Sequence, residues 1–222
     1  MARILCLPIR HRSSDSPALS FSPAMTTTQP VTHLLYLHGF RSSPQSAKAR
    51  QMAAHVAQRH PDVTFWCPQL PPSPREAMEL VAQGIAQWPG AAMGVVGSSL
   101  GGFYASWVAH HKRCPSVMLN PAAHPARDLA RYIGEQTAWH DPAERFYFRP
   151  EYIDELRALD TSSQPPASRE LAIIAKGDEV LDWREMVARY PHARVLLQEG
   201  GEHALVNFEE YLPAVVEFLA LA

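Results

Sequence analysis

Cysteine is scarce in this chain. There are three, Cys6, Cys67 and Cys114, odd in number and far apart. No CxxC or comparable metal-ligand spacing occurs, and such a set implies no disulfide framework. The thiols read as free groups in a reducing compartment, which points to a cytoplasmic location. A strong charge of one sign is also missing. The formal net charge is -2 over 222 residues, so no basic field exists to hold nucleic acid or an anionic membrane. No apolar stretch approaches the roughly 20 residues of a membrane-spanning helix. No internal repeat is visible. The stretch MARILCLPIRHRSSDSPALSFSPAM is not expected to be a secretory leader, because it sets its charges after a short apolar patch rather than before a longer one. Residues 1–30 are Ser/Pro-rich and are expected to be disordered, and Met25 is a candidate start just ahead of the first folded pattern.

What is present fits one globular domain, residues 31–222, with a full core: 46% of the residues are hydrophobic. Short apolar runs read as buried strands at HLLYLHGF (33–40), VTFWCPQL (63–70), AMGVVGSS (92–99), PSVMLNP (115–121), LAIIAK (171–176) and ARVLLQ (193–198). Helical patterns lie between them. One begins after Ser43, read as an N-cap with Pro44 at the first helical position. Others cover 75–88, 100–112, 182–190 and 207–221. Strand and helix alternate, and the strands are apolar on both faces. That is the pattern of a mostly parallel sheet with helices on both sides. The rhythm breaks at about 122–166. This stretch is polar and aromatic and shows no clear strand, so a small helical lid insertion is expected there.

The stretch GSSLGG (97–102) follows a buried strand and opens a helix. Gly97-x-Ser99-x-Gly101 fits a nucleophile elbow, where residues two before and two after the serine crowd each other and must be small. Ser98 is the rival, but its plus-two neighbour is Leu100. A plain tight turn is the bland alternative, so partners are needed. A serine hydroxyl needs a base in reach, and the base needs an orienting acid. After an elbow the chain order is serine, acid, histidine. Asp178 follows the strand LAIIAK and a glycine, at the sheet's C-terminal edge where ligands bind. Glu179 and Asp182 compete with it, and Asp182 is the better helix cap. His203 follows the last strand behind Gly200-Gly201, ahead of the final helix. HGF (38–40) ends the first strand, so backbone N–H groups of Phe40 and Leu100 are candidate oxyanion donors beside Ser99. His38 is expected to orient that loop by hydrogen bonding.

The segments LLYLHGFRSSPQSAKA, PQLPP, GSSLGGFYA, NPAAHP, KGDEVLDW and GGEHALVNFEEY together resemble the YqiA/YcfP-type esterases of the α/β-hydrolase fold. The resemblance runs from about His33 to the C-terminus. It implies an esterase acting on acyl esters or acyl-CoA thioesters, with Ser99, Asp178 and His203 at the nucleophile, acid and base positions of the motifs. The chain departs from the usual pattern at Arg41, where the family has Asn, at His124, where Arg is common, and at Glu202, where Asn or Asp is usual.

The sequence therefore implies an α/β-hydrolase-fold serine esterase that works through an acyl-enzyme on a small acyl ester or thioester, with no metal or organic cofactor. An acyl-CoA thioesterase and a non-catalytic acyl-binding protein on the same scaffold are the alternatives. In the insertion, Trp139, Phe146, Tyr147, Phe148 and Tyr152 read either as an acyl-pocket lining or as packing onto the body. Arg127, Arg131, Arg145 and Arg149 read either as contacts for a CoA phosphate or as a solvated face.

Overall fold

The computed structural model describes residues 29–139, 141 and 143–222. The N-terminal stretch expected to be disordered, with Cys6 and Met25, lies outside them save for Gln29 and Pro30.

Six parallel strands form one sheet. They are β1 (His33–Leu37), β2 (Thr64–Trp66), β3 (Met93–Ser98), β4 (Ser116–Leu119), β7 (Glu170–Ala175) and β8 (Arg194–Gln198), in the order β2-β1-β3-β4-β7-β8. The helices between them are α1 (Ala47–Arg59), α2 (Pro74–Gly84), α3 (Leu100–Lys112), α6 (Trp183–Arg189) and α7 (Leu212–Leu219). The period of two along each strand divides its side chains between two cores. Leu35, Leu37 and Val95 face α2 and α3, while Leu34, Tyr36, Val96, Val117, Leu171 and Ile173 face α1 and α7. Met118, Ala172 and Ile174 meet Met186 of α6. All of these strand residues are buried, which is why the strands read as continuous apolar runs.

The insertion between β4 and β7 is not simply helical. It holds α4 (Pro125–Asp128) and α5 (Glu151–Ala158), but also an antiparallel pair, β5 (Gly134–Thr137) with β6 (Arg145–Phe148). The reason is the alternation in RFYF: Phe146 and Phe148 turn inward while Arg145 and Tyr147 turn out. Phe148 is fully buried, and its ring meets those of Phe40 and Tyr152 at 5.1 and 5.4 Å. Packing onto the body is thus the role of Phe146, Phe148 and Tyr152. A second difference lies at α1, which starts at Ala47 after Ser46 rather than at Ser43. Ser43 is buried and caps a tight turn instead, accepting from the Gln45 N–H at 3.1 Å. Asp182 does cap α6, accepting from the Arg184 N–H.

Of the thiols, Cys67 and Cys114 are free, and burial pushes each up to about 12. Among the described residues no helix is long and apolar enough to cross a membrane.

The tightest constraint in the fold sits where β3 passes into α3. A Cβ on Gly97 would come within 2.0 Å of the Gly101 carbonyl oxygen, and a Cβ on Gly101 within 2.0 Å of the Leu37 carbonyl oxygen. Both obstacles are backbone, so no rotamer change relieves them. Gly97→Ala and Gly101→Ala are each expected to cost about 3 kcal/mol or more in urea unfolding, at the upper end of overpacking effects. A loss under about 0.5 kcal/mol would contradict this reading.

Candidate active site

Ser99 occupies the turn between β3 and α3 with φ 57 and ψ -120, a conformation that L-residues adopt only when the surroundings enforce it. The enforcement is visible in the hydrogen bonds. The Ser99 N–H donates to the Leu119 carbonyl at 2.9 Å, and the Ser99 carbonyl accepts from Gly102 at 2.9 Å and Ala122 at 3.0 Å. The side chain therefore stands clear of the sheet, while Ser98 points into the protein and is buried.

Three side chains from three loops meet at this edge. The His203 ring lies with Nε2 3.0 Å from Ser99 Oγ and Nδ1 2.7 Å from Asp178 Oδ2. A carboxylate only accepts, so Nδ1 carries the proton and Nε2 is left to accept from the serine hydroxyl. The Asp178 side chain is fully buried. Its second oxygen, Oδ1, accepts from the Val180 and Leu181 N–H groups at 2.8 Å each. Glu179, the competing carboxylate, takes a different position. Its Oε2 accepts from the backbone N–H of His203 at 3.0 Å.

The first strand supplies the other wall. His38 is buried and spans two segments: Nε2 accepts from the Leu70 N–H at 3.1 Å, so Nδ1 donates to the Gly39 carbonyl at 3.0 Å. Gly39 permits close approach, since a Cβ there would sit 3.1 Å from Ser99 Cβ. Phe40 and Leu100 both line the cavity onto which Ser99 and His203 open. Among the described residues neither of their backbone N–H groups has a protein acceptor.

That cavity has a volume of about 250 Å³ and is walled mainly by apolar groups, including Ala122, Leu129, Tyr132, Trp139 and Leu181. Of the five aromatics in the insertion singled out above, Trp139 is the one on this wall, and it is 71% exposed. Of the four arginines, Arg131 lines the cavity. Arg127 is held by Asp128 and, through both of its terminal nitrogens, by Glu185. Arg145 and Arg149 are exposed.

Two supports were not legible as functional residues. Asn120, at the end of β4, adopts φ 41. Its Nδ2 donates to the Glu202 and His203 carbonyls at 3.1 and 3.2 Å, and its Oδ1 accepts from the Ala175 N–H at 2.8 Å. It thereby ties the histidine loop to the strand that precedes Asp178. Lys48, in the first turn of α1, donates from Nζ to the Ala204 carbonyl. Burial pushes its ammonium down to about 8, against the pull of Asp178 and Glu202. The only sequence signal for Asn120 was its place directly after an apolar strand, the position Ser99 holds on β3. Lys48 gave none beyond its place in the SSPQSAKA segment.

Among the described residues no cluster of side chains is suited to hold a metal ion. Solved structures share the architecture at low identity. The metagenome-derived lipolytic enzymes LipS and LipT match with a TM-score of 0.68 at 17% identity, over 86% of this chain and 95% of that one. Monoacylglycerol lipase from Paleococcus ferrophilus matches at 0.63 and 14%, over 86% and 96%. Alpha/beta hydrolase domain-containing protein 10 from mouse matches at 0.65 and 14%, over 83% and 88%. These likenesses establish the α/β-hydrolase fold. The model of the uncharacterised protein family UPF0227 matches residues 33–220. The chain therefore belongs to that family, the YqiA/YcfP-type group whose motifs its own segments resemble.

Proposed function

We propose that this protein is a serine esterase that hydrolyses small acyl esters through an acyl-enzyme. One observation carries the reading. Asp178, His203 and Ser99 form a continuous hydrogen-bonded line, 2.7 and 3.0 Å per link, that ends at the mouth of an apolar cavity. The similarity in fold to lipolytic enzymes supports it.

In this reading His203 Nε2 takes the proton from Ser99 Oγ as the oxygen attacks the ester carbonyl carbon. Negative charge moves to the carbonyl oxygen, where the Phe40 and Leu100 N–H groups stabilise it. Such donors are already fixed in place, so little reorganisation is needed as charge develops. Asp178 holds the His203 tautomer and stabilises the imidazolium. The carbon–oxygen bond to the leaving group then breaks, and His203 gives that group its proton. Water repeats the sequence on the acyl-enzyme, with His203 again as base, releasing the acid and restoring Ser99. Asn120 and Lys48 act as positioning residues, because they hold the carbonyls on either side of the base.

The test is a panel of p-nitrophenyl esters from acetyl to palmitoyl, run beside acyl-CoA thioesters. Wild type is expected to hydrolyse at least the shorter esters. Ser99→Ala is expected to lose at least about a thousandfold in kcat. Equal rates in the two proteins would overturn the assignment, and faster turnover of the thioesters would move the substrate class. Asn120→Ala is expected to lower kcat about ten- to hundredfold with little change in KM, because it displaces the base and leaves the cavity intact. An unchanged kcat would remove its positioning role.

Lys48 makes a prediction about stability. Its folded value near 8 lies below the unfolded value of about 10.4, so the unfolded chain binds the extra proton between those two pH values. Stability therefore rises with pH across that window. In urea unfolding at pH 7.5 and 9.5, the difference between wild type and Lys48→Met is expected to shift in favour of wild type at the higher pH. The opposite shift would contradict the burial of a charged ammonium there.

A further inference from the structure

The cavity beside Ser99 is apolar in most of its wall but not in its charge. Arg41 and Arg131 both line it. The Arg41 guanidinium lies 4.1 Å from the centre of the Trp139 ring, and its Nε donates to the Thr137 carbonyl at 2.6 Å. Backbone contact completes this brace, for the Trp139 N–H donates to the Arg41 carbonyl at 2.7 Å. The Arg131 guanidinium lies 5.0 Å from the centre of the Tyr132 ring. Each guanidinium thus lies within cation–π range of an aromatic ring.

Neither arginine has a carboxylate within ion-pair distance among the described residues. Three of the nearby acids have partners of their own. Asp128, which lines the cavity, accepts from Arg127 Nε at 2.8 Å. Asp178 is buried behind His203, and Glu179 accepts from the His203 backbone. Two cations thus line the cavity with no ion-pair partner among the described residues, Asp128 lying on the same wall and Glu144 on the adjoining pocket beside Arg41. Arg41 also directly follows Phe40, and its bond to the Thr137 carbonyl holds its side chain beside the cavity.

We infer that the substrate is an anionic ester, one that carries a carboxylate or phosphate which Arg41 and Arg131 clamp while Ser99 attacks the neutral ester carbonyl. This rests on the esterase reading and narrows its substrate class. Guanidinium edges match the planar oxygens of carboxylate and phosphate, and charge-assisted bonds of this kind are stronger than neutral ones. The anionic group belongs either to the acyl part or to the leaving alcohol, and the experiment separates the two.

Three chromogenic esters serve: p-nitrophenyl butyrate, the mono-p-nitrophenyl ester of glutaric acid, and 4-carboxy-2-nitrophenyl butyrate. The first is neutral, the second carries its carboxylate on the acyl side and the third on the leaving group. The readout is kcat/KM on each anionic ester divided by that on a neutral ester of matched leaving-group reactivity. One of the two anionic esters is expected to exceed its neutral match by about tenfold or more, mostly through KM. Arg41→Gln and Arg131→Gln are each expected to lower that ratio about tenfold, and 0.5 M NaCl to narrow it by screening. Arg41→Lys separates charge from bracing. If it keeps the ratio while Arg41→Gln does not, the charge is what counts. If both variants lower neutral and anionic rates equally, Arg41 only holds the β5–β6 pair and the inference fails for it. A ratio near one in wild type, or one that neither Gln variant changes, overturns the inference and leaves the esterase reading standing. If wild type hydrolyses none of the three, the esterase reading falls. Calorimetric binding of glutarate to Ser99→Ala then decides the clamp alone. Binding lost in the Arg41→Gln, Arg131→Gln double variant supports it, and no binding rejects it.

Discussion

The contact that the rest of this site depends on is backbone against backbone. Gly97 lies against the Gly101 carbonyl and Gly101 against the Leu37 carbonyl, so neither tolerates a Cβ, and between them Ser99 is bent to φ 57. Strain of this kind costs of order 1–3 kcal/mol and persists only where the surroundings over-determine it. Here β1, β4 and α3 all hold the turn: the Leu37 carbonyl stands against Gly101, and the Leu119 carbonyl accepts the Ser99 N–H. The core packed around those strands holds the serine in that bend. Relaxing the turn would return Ser99 to an ordinary strand end, out of reach of His203.

The same edge of the sheet gathers everything else. Chain direction is common to all six strands, so every strand ends on one side. β1 leads to His38 and Phe40, β3 to Ser99, β4 to Asn120, β7 to Asp178 and β8 to His203. None of these loops could hold a side chain to a few tenths of an ångström alone. They do so by bonding to one another. Asn120 grips the histidine loop, Glu179 holds the His203 N–H, Lys48 reaches the Ala204 carbonyl and His38 spans to Leu70. Each link is worth about 1 kcal/mol or somewhat more when charged, but together they remove the freedom of the parts that must stay aligned.

How much was legible in the sequence follows from where each signal resides. The parallel sheet could be read because buried strands leave apolar runs, and the elbow because steric crowding restricts both flanking positions to small residues. Ser99, Asp178 and His203, read from three separate loops, lie within hydrogen-bond reach of one another. The support network was not legible. Asn120 and Lys48 work through carbonyls 82 or more residues away, and nothing local marks such a bond. The β5–β6 pair leaves little sequence signal, because each strand has four residues and only RFYF alternates clearly. The start of α1 is not fixed by its Ser-Pro pair, which suits a tight turn as well as a helix cap. Arg41 stands out as a departure from its family's pattern, but its contact with Trp139, between the loop after β1 and the insertion, belongs to tertiary structure alone.

The central claim is that Ser99 is an activated nucleophile, held by His203 and Asp178. The most direct measurement is covalent capture by a fluorophosphonate, read by intact mass and peptide mapping. One adduct per chain is expected, on the peptide that contains Ser99, formed rapidly in wild type, far more slowly in His203→Ala and not at all in Ser99→Ala. A folded wild-type protein that forms no adduct, or an adduct that maps to another residue, would contradict it.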